Sequence, residues 1–193
     1  MKRATVILAA MSIAASCASP LTWTPEEREL IQKDSTCMRV LTIADPQDSL
    51  VLRQPCAELS KEDIADGLYQ TLADKMLATV TSPEQDGVGI AGPQVGILRR
   101  VVAVMRYDKD GYPFEVYPNI RITETRGETE PGPEGCLSVP DMRGDVDRYQ
   151  DITISYTDPV TLTDTTETVQ GYTAVIFQHE CDHLDGILYI DRL

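Results

Sequence analysis

Gln178-His179-Glu180-Cys181-Asp182-His183-Leu184-Asp185-Gly186 holds both histidines of this 193-residue chain. Residues four apart lie on one face of an α-helix, so His179 and His183 can grip a single metal ion while Glu180, beside them, handles protons. The same spacing also arises in helices whose histidines only solvate or pack. Read as chemistry, it points to a metal-dependent hydrolase. A catalytic site of that kind uses about three protein ligands and leaves a further position open for water.

The search for a third ligand narrows the class. One HExxH pattern continues with a further histidine three residues after the glycine, and here Tyr189 occupies that place. Another arrangement takes a glutamate, expected downstream, but no Glu follows Glu180. The third ligand therefore lies upstream, and the best candidate is Cys136 in Pro133-Glu134-Gly135-Cys136-Leu137-Ser138-Val139-Pro140. Gly135 lets the backbone approach closely and Pro140 ends the segment. A free cysteine serves equally well as a small buried hydrophobe, so the residues alone leave both roles open.

Three stretches in this order resemble the peptide deformylase family: Gly87-Val88-Gly89-Ile90-Ala91-Gly92-Pro93-Gln94, then Glu134 to Ser138, then Gln178 to His183. The likeness runs from about Val51 to Ile190. On its own the glycine-rich stretch suits a turn with positive φ or a phosphate loop, but no Lys-Ser/Thr pair follows it, which excludes a P-loop.

The resemblance implies that Cys136, His179 and His183 hold the metal, with a water in the remaining position, and that Glu180 acts first as general base and then as general acid. It implies that the Gln94 side chain and the Leu137 backbone N–H donate to the oxygen that becomes negative during attack. Val88, Gly89, Arg143 and Ile176 are the implied substrate contacts. Tyr172, Ile176, His179 and His183 share one helical stripe, which reads either as plain core or as the wall of a pocket for a methionine-like side chain with Val88 opposite. Arg148 is expected to pair with Asp182 and brace the helix, although two solvated arginines at 143 and 148 is the blander reading.

The implied activity is removal of the formyl group from N-formylmethionyl peptides, with Fe2+ as the metal and Zn2+, Ni2+ or Co2+ able to take its place. Two other readings stand beside it, an exported metallopeptidase cutting internal bonds and a non-catalytic metal-binding lipoprotein of the same fold. Intact Glu180 and Gln94 argue against the second, because storage of metal needs neither.

The chain departs from the family's pattern in three places. Gly92 stands where alanine is usual, which is expected to loosen the loop that aims Gln94. Pro118-Asn119 reverses the usual order and puts a strand's register in question. At the front, Lys2 and Arg3, an apolar run from Ala4 to Ile13 and then Ala14-Ala15-Ser16-Cys17 have the layout of a lipoprotein signal peptide over residues 1–16. The apolar run is too short to span a bilayer. A single metallohydrolase domain over 17–193 is expected, exported and lipid-anchored at Cys17, with a cytoplasmic protein as the outcome if the segment is not a signal.

Charge limits the partners. The formal charge is −14, and loss of Lys2 and Arg3 takes it to −16. Such an acidic surface is not drawn to phosphate backbones or anionic lipid, so nucleic acid is excluded, and any membrane link is through lipid. A monomer is expected. Of the remaining cysteines, Cys181 is expected on the side of its helix away from the histidines, and Cys37 and Cys56 are candidates for a disulfide in an oxidising compartment.

The expected fold class is α+β, with antiparallel strands packed around a central C-terminal helix that carries HExxH. Thr24 caps a short helix opened by Pro25. Ser60 opens a longer one whose Ile64, Leu68, Leu72 and Met76 form an apolar face for a sheet. Strands are predicted at Arg100 to Tyr107, Phe114 to Tyr117, Ile120 to Thr125, Ile152 to Thr157 and Ile187 to Ile190. Arg126 to Pro133, rich in Gly and Pro, is predicted as a loop.

Overall fold

The computed structural model describes residues 22–193, and the signal-peptide reading of 1–16 and the lipid anchor at Cys17 lie outside them. Among the described residues no helix is long and apolar enough to cross a membrane. Helix α1 (Pro25–Gln32) starts as expected, with a capping box in which Thr24 and Glu27 satisfy each other's backbone N–H groups. Helix α2 (Pro46–Leu52), capped by Asp45, lies outside the expected elements.

The helix expected from Ser60 is two. Helix α3 (Lys61–Ala65) stops at Asp66, whose extended backbone and side chain, accepting from Leu68 N, cap α4 (Gly67–Val80). A short acid before glycine favours a new cap over continuing a helix. The apolar face survives the break, because Ile64, Leu68, Leu72 and Met76 are all buried together against Ile90, Val101 and Ala103.

Strands β1 (Gly89–Ala91), β2 (Val101–Met105) and β3 (Phe114–Pro118) form one antiparallel sheet. Alternation along β2 sends Val101 and Ala103 to α4, while Val102 and Val104 face the other way. Pro118 leaves the register intact, pairing with Val101. Asn119 then turns with φ +57, and its side chain clamps Leu59 by accepting from its N–H at 2.7 Å and donating to its carbonyl at 2.9 Å. Asparagine tolerates this left-handed conformation better than most residues.

The second antiparallel sheet is β4 (Arg121–Cys136), β5 (Val139–Thr157) and β6 (Asp164–Gln170), in that order. Here Arg126 to Pro133 corrects the sequence expectation, for it is strand and not loop. Three register shifts absorb the irregular residues, one of them between Arg126 and Thr129 around Gly127 at φ +78. Edge strands tolerate proline, and β4 is an edge. Most of this stretch is exposed, so it carries no apolar alternation to reveal a strand. Strand β6 is hidden for the same reason, with Val169 its one buried residue.

Helix α5 (Tyr172–Leu184) follows Gly171 and carries the histidine motif. Its Ala174, Phe177, Cys181 and Leu184 join Val102 and Val104 of the first sheet to Ile152 and Ile154 of the second. Cys181 therefore lies in the core, as expected. Beyond α5, the strand expected at Ile187 to Ile190 is instead a single 3-10 turn, Tyr189–Asp191, entered through an extended Leu188. Asp191 makes the difference, since it accepts from Leu188 N and pairs with Arg53. Cys37 and Cys56 form no disulfide. Cys37 is exposed and donates to Ala78 O, whereas Cys56 is half-buried and packs near α5.

Candidate metal and catalytic site

The tip of the β4–β5 hairpin meets α5 and the 3-10 turn Gly92–Val95, and chemistry-bearing side chains converge there. The candidate ligand atoms of Cys136, His179 and His183 lie within 4.8 Å of one another. Cys136 Sγ is 3.2 Å from His183 Nε2, and it accepts from Ser138 N at 3.4 Å and Gln94 Nε2 at 3.5 Å.

The two histidines are prepared differently. Glu134 Oε2 lies 2.8 Å from His179 Nδ1, and a carboxylate can only accept, so Nδ1 carries the hydrogen and Nε2 is free to ligate. Burial opposes charge on His179, yet its hydrogen bonds with Cys136 and Glu134 prevail and lift its pKa to about 10, so without an ion Nε2 also carries a proton, which a metal would displace on binding. Burial pushes His183 well below the ordinary value, so it is the neutral imidazole that metals bind. Its Nδ1 is buried with no partner among the described residues. A thiol and two imidazoles converging on one point, in a setting that draws positive charge, fit a divalent transition metal.

Behind the candidate ligands runs a chain of charges. Burial disfavours the charge on Glu134, but hydrogen bonds from His179 and Arg148 hold its pKa down at about 2. Arg148 Nε donates to Glu134 at 2.7 Å and its Nη1 to Asp182 at 2.6 Å, while Arg192 grips the same Asp182 from the surface at 2.5 and 2.6 Å. The expected Arg148–Asp182 pairing is present. Glu134, Ser138 and Arg192 were not anticipated as parts of the site. Glu134 had a signal, because it stands two residues before Cys136 and both turn toward α5.

Glu180 is buried, and burial raises its pKa to about 7, close to the value a proton-transferring group needs at neutral pH. Its Oε2 has no hydrogen-bond partner among the described residues. Gly89 makes room for it. A Cβ there would stand 2.9 Å from Glu180 Cδ and from Ile176 Cγ2, and closer still to Glu180 Oε1.

Neither Gly87, Gly89 nor Gly92 has positive φ, which corrects the turn reading of this stretch; crowding is what excludes side chains from it. At Gly92 a Cβ would meet the carbonyls of Ile97 and Arg99 at 2.6 and 2.7 Å, so this glycine fits a tight turn and does not loosen it. Gln94 is accordingly fixed. Its Oε1 accepts from Ala91 N at 2.9 Å, which leaves Nε2 directed at Cys136 and Ser138.

A cleft of about 700 Å³ opens over this cluster. Val88, Gly89, Gln94, Cys136, Leu137, Arg143, Ile176, His179 and Glu180 all line it, whereas His183 lies buried beneath. Tyr172, at the start of the α5 stripe, also borders the cleft. Tyr189, in the position that a third histidine would take, stacks on His179 with ring centroids 6.0 Å apart.

A family model described as polypeptide deformylase matches residues 37–193. The peptide deformylase of Leptospira biflexa is 36% identical over 162 residues, which span 80% of this chain and 87% of that protein. Peptide deformylase 2 of Nostoc sp. is 43% identical over 148 residues, 74% of this chain and 80% of that one. A class I type b peptide deformylase from Acinetobacter baumannii, crystallised with Met-ala-ser bound, matches with a TM-score of 0.71 at 36% identity, covering 81% of this chain and 98% of its own.

Proposed function

Since the chain belongs to the polypeptide deformylase family, we propose that Cys136, His179 and His183 are its metal ligands and that Glu180 moves the protons in its reaction. The activity is metal-dependent hydrolysis of the formyl group from formylmethionyl peptides. The observation that carries the assignment of roles is the buried Glu180 carboxylate, whose Oε2 has no hydrogen-bond partner among the described residues, beside the converging candidate ligand atoms.

Cys136, His179 and His183 would hold a divalent ion, whose Lewis acidity would lower the pKa of a water toward neutrality and polarise the formyl oxygen. Glu180, with a pKa of about 7, takes the proton from the attacking water and delivers a proton to the departing amine. Gln94 Nε2 and the backbone N–H of Leu137 donate to the oxygen as it gains charge, each worth about 3 kcal/mol where such donors have been removed. The anchoring of Gln94 Oε1 on Ala91 N fixes that donor before substrate arrives. Val88, Gly89 and Ile176 border the space for the methionine side chain, and Arg143 at the rim contacts the peptide backbone. Loss of the methionine preference in Ile176→Ala is the expected mark of that wall.

Ferrous iron is the metal we assign, and Zn2+, Ni2+ and Co2+ suit the same donors. The N-terminal layout of Lys2, Arg3, the run Ala4 to Ile13 and Cys17 supports export and lipid anchoring. Mass spectrometry of the protein from its native membrane fraction, showing a lipid-bearing Cys17 as first residue, is the expected result; an intact Met1 overturns it.

The deciding experiment is turnover of formyl-Met-Ala-Ser against its acetyl analogue after anaerobic reconstitution with Fe2+. The formyl peptide alone is cleaved, and Glu180→Gln lowers kcat by about 10²- to 10⁴-fold while retaining one equivalent of metal. Equal cleavage by Glu180→Gln would overturn the proton-transfer role.

A further inference from the structure

Residues 22–36 precede the part of the chain that the polypeptide deformylase model matches, 37–193, yet they are built into the fold. Trp23 and Ile31 are buried with Leu68, Leu72 and Met76 in one core cluster, and Trp23 N donates to Asp63 of α3 at 3.4 Å. Helix α1 is thereby seated, and it presents Glu27 and Leu30 to the loop from Gly92 to Arg99.

The two contacts fall at the two ends of the turn that carries Gln94. Glu27 takes the Arg99 guanidinium between its oxygens, accepting from Nε at 2.8 Å and from Nη2 at 2.8 Å. Arg99 is 1% exposed, and its guanidinium lies 5.8 Å over the Trp23 ring. Its backbone carbonyl closes on Gly92, the first residue of the 3-10 turn, where no Cβ would fit. Leu30 packs on Gly96, which ends the turn at φ +80; a Cβ on Gly96 would stand 3.1 Å from Leu30 Cδ2. The closing bonds of the turn run from Gly96 N to Pro93 O at 3.1 Å and from Ile97 N to Gly92 O at 2.9 Å. Gln94 sits between these supports, with its Nε2 directed at Cys136 and Ser138.

Resting on the deformylase reading above, we propose that residues 22–32 are a clamp that positions Gln94, with Glu27 and Leu30 as the positioning residues. Neither of them lines the cleft. A donor stabilises a developing negative charge only if it is already aimed when the charge appears, so α1 contributes order in the turn and no contact with substrate.

The test is a double-mutant cycle on the Fe2+-loaded full chain. Leu30→Ala removes the methyl groups that seat on Gly96, and Glu27→Gln keeps the shape of the pair with Arg99 while removing its charge. Each variant lowers kcat for formyl-Met-Ala-Ser by about 3- to 30-fold with KM unchanged, and adds nothing once Gln94→Ala is present, as residues acting through one group require. Leu30→Met, which conserves volume, rescues kcat. A general loss of stability would scale kcat equally in both backgrounds, so the cycle separates it from positioning. Hydrogen exchange gives a readout independent of turnover, with the Gly96 and Ile97 amides exchanging about three- to tenfold faster in Leu30→Ala. An undiminished kcat in both variants, or equal fold-losses with and without Gln94, overturns the clamp. If the wild type fails to cleave formyl-Met-Ala-Ser, the deformylase reading falls, and exchange alone decides the clamp: unchanged Gly96 and Ile97 rates overturn it.

Discussion

Glu134 accepts a hydrogen bond from His179 at 2.8 Å, and through that contact a buried anion on the β4–β5 hairpin fixes the orientation of a proposed ligand on α5. The carboxylate selects the tautomer that leaves Nε2 free, and it strengthens the imidazole as a donor. Glu134→Gln keeps the shape and removes the charge. Metal affinity is expected to fall about 10- to 100-fold, read by competition with a chromophoric chelator. An unchanged competition curve would show that His179 needs no such partner.

Arg148 and Arg192 share Asp182 but should differ in their effect on stability. Arg148 is buried and balances both Glu134 and Asp182, so Arg148→Ala leaves buried acids uncompensated and should cost about 3–5 kcal/mol, with faster loss of metal. The Arg192 side chain is 42% exposed, and Arg192→Ala should cost about 1 kcal/mol or less. Urea unfolding of the two variants decides the order, and equal costs would contradict the charge chain.

Gly89→Ala places a methyl group against Glu180 and Ile176 without demanding a left-handed backbone. The strand should still form, so far-UV circular dichroism is expected to be unchanged. Deformylation is expected to drop by about 10²-fold or more, as in loss of a positioned proton-transfer group. Full activity in a folded variant would mean that Glu180 has another place to go.

The legible parts of the sequence were those with a repeating cause. The four-residue spacing of Ile64, Leu68, Leu72 and Met76 marked a helix face, and the Thr24 cap marked a start. The three motifs brought seven of the expected residues, Val88, Gly89, Gln94, Cys136, Leu137, His179 and Glu180, to one cleft with His183 beneath. What stayed hidden was long-range or solvent-facing. Nothing in the composition of Arg126 to Pro133 separates a two-sided exposed ribbon from a loop, because no apolar face is there to alternate. Glu134 acquires its role only when its hairpin docks on α5, 45 residues later in the chain. Gly89 looked like a conformational glycine, and only the packed structure shows a steric one.

Acid should destabilise the fold through its arginine-paired acids. Arg39 holds Asp48 below the usual carboxylate range, and Arg106 does the same for Asp108. A carboxylate whose folded pKa is depressed contributes stability that is complete above its unfolded pKa of about 4 and lost as pH falls through the folded value. The contribution of these two pairs to the melting temperature should therefore hold between pH 7 and 5 and fall away below about pH 4. In Arg39→Ala the acid-induced drop should be smaller, and an identical profile would remove Asp48 from the account.

The hairpin tip supplies Cys136, and α5 supplies both histidines, so an ion held by all three would add a further tie between two pieces of chain already joined by the Glu134–His179 and Arg148–Asp182 contacts. Lifting the tip and releasing the ion become linked equilibria, since each favours the other. The ion then acts as a latch on local opening. Amide hydrogens around the Cys136 turn are expected to exchange more slowly in the loaded protein, while those of the α4 face, remote from the latch, keep their rates.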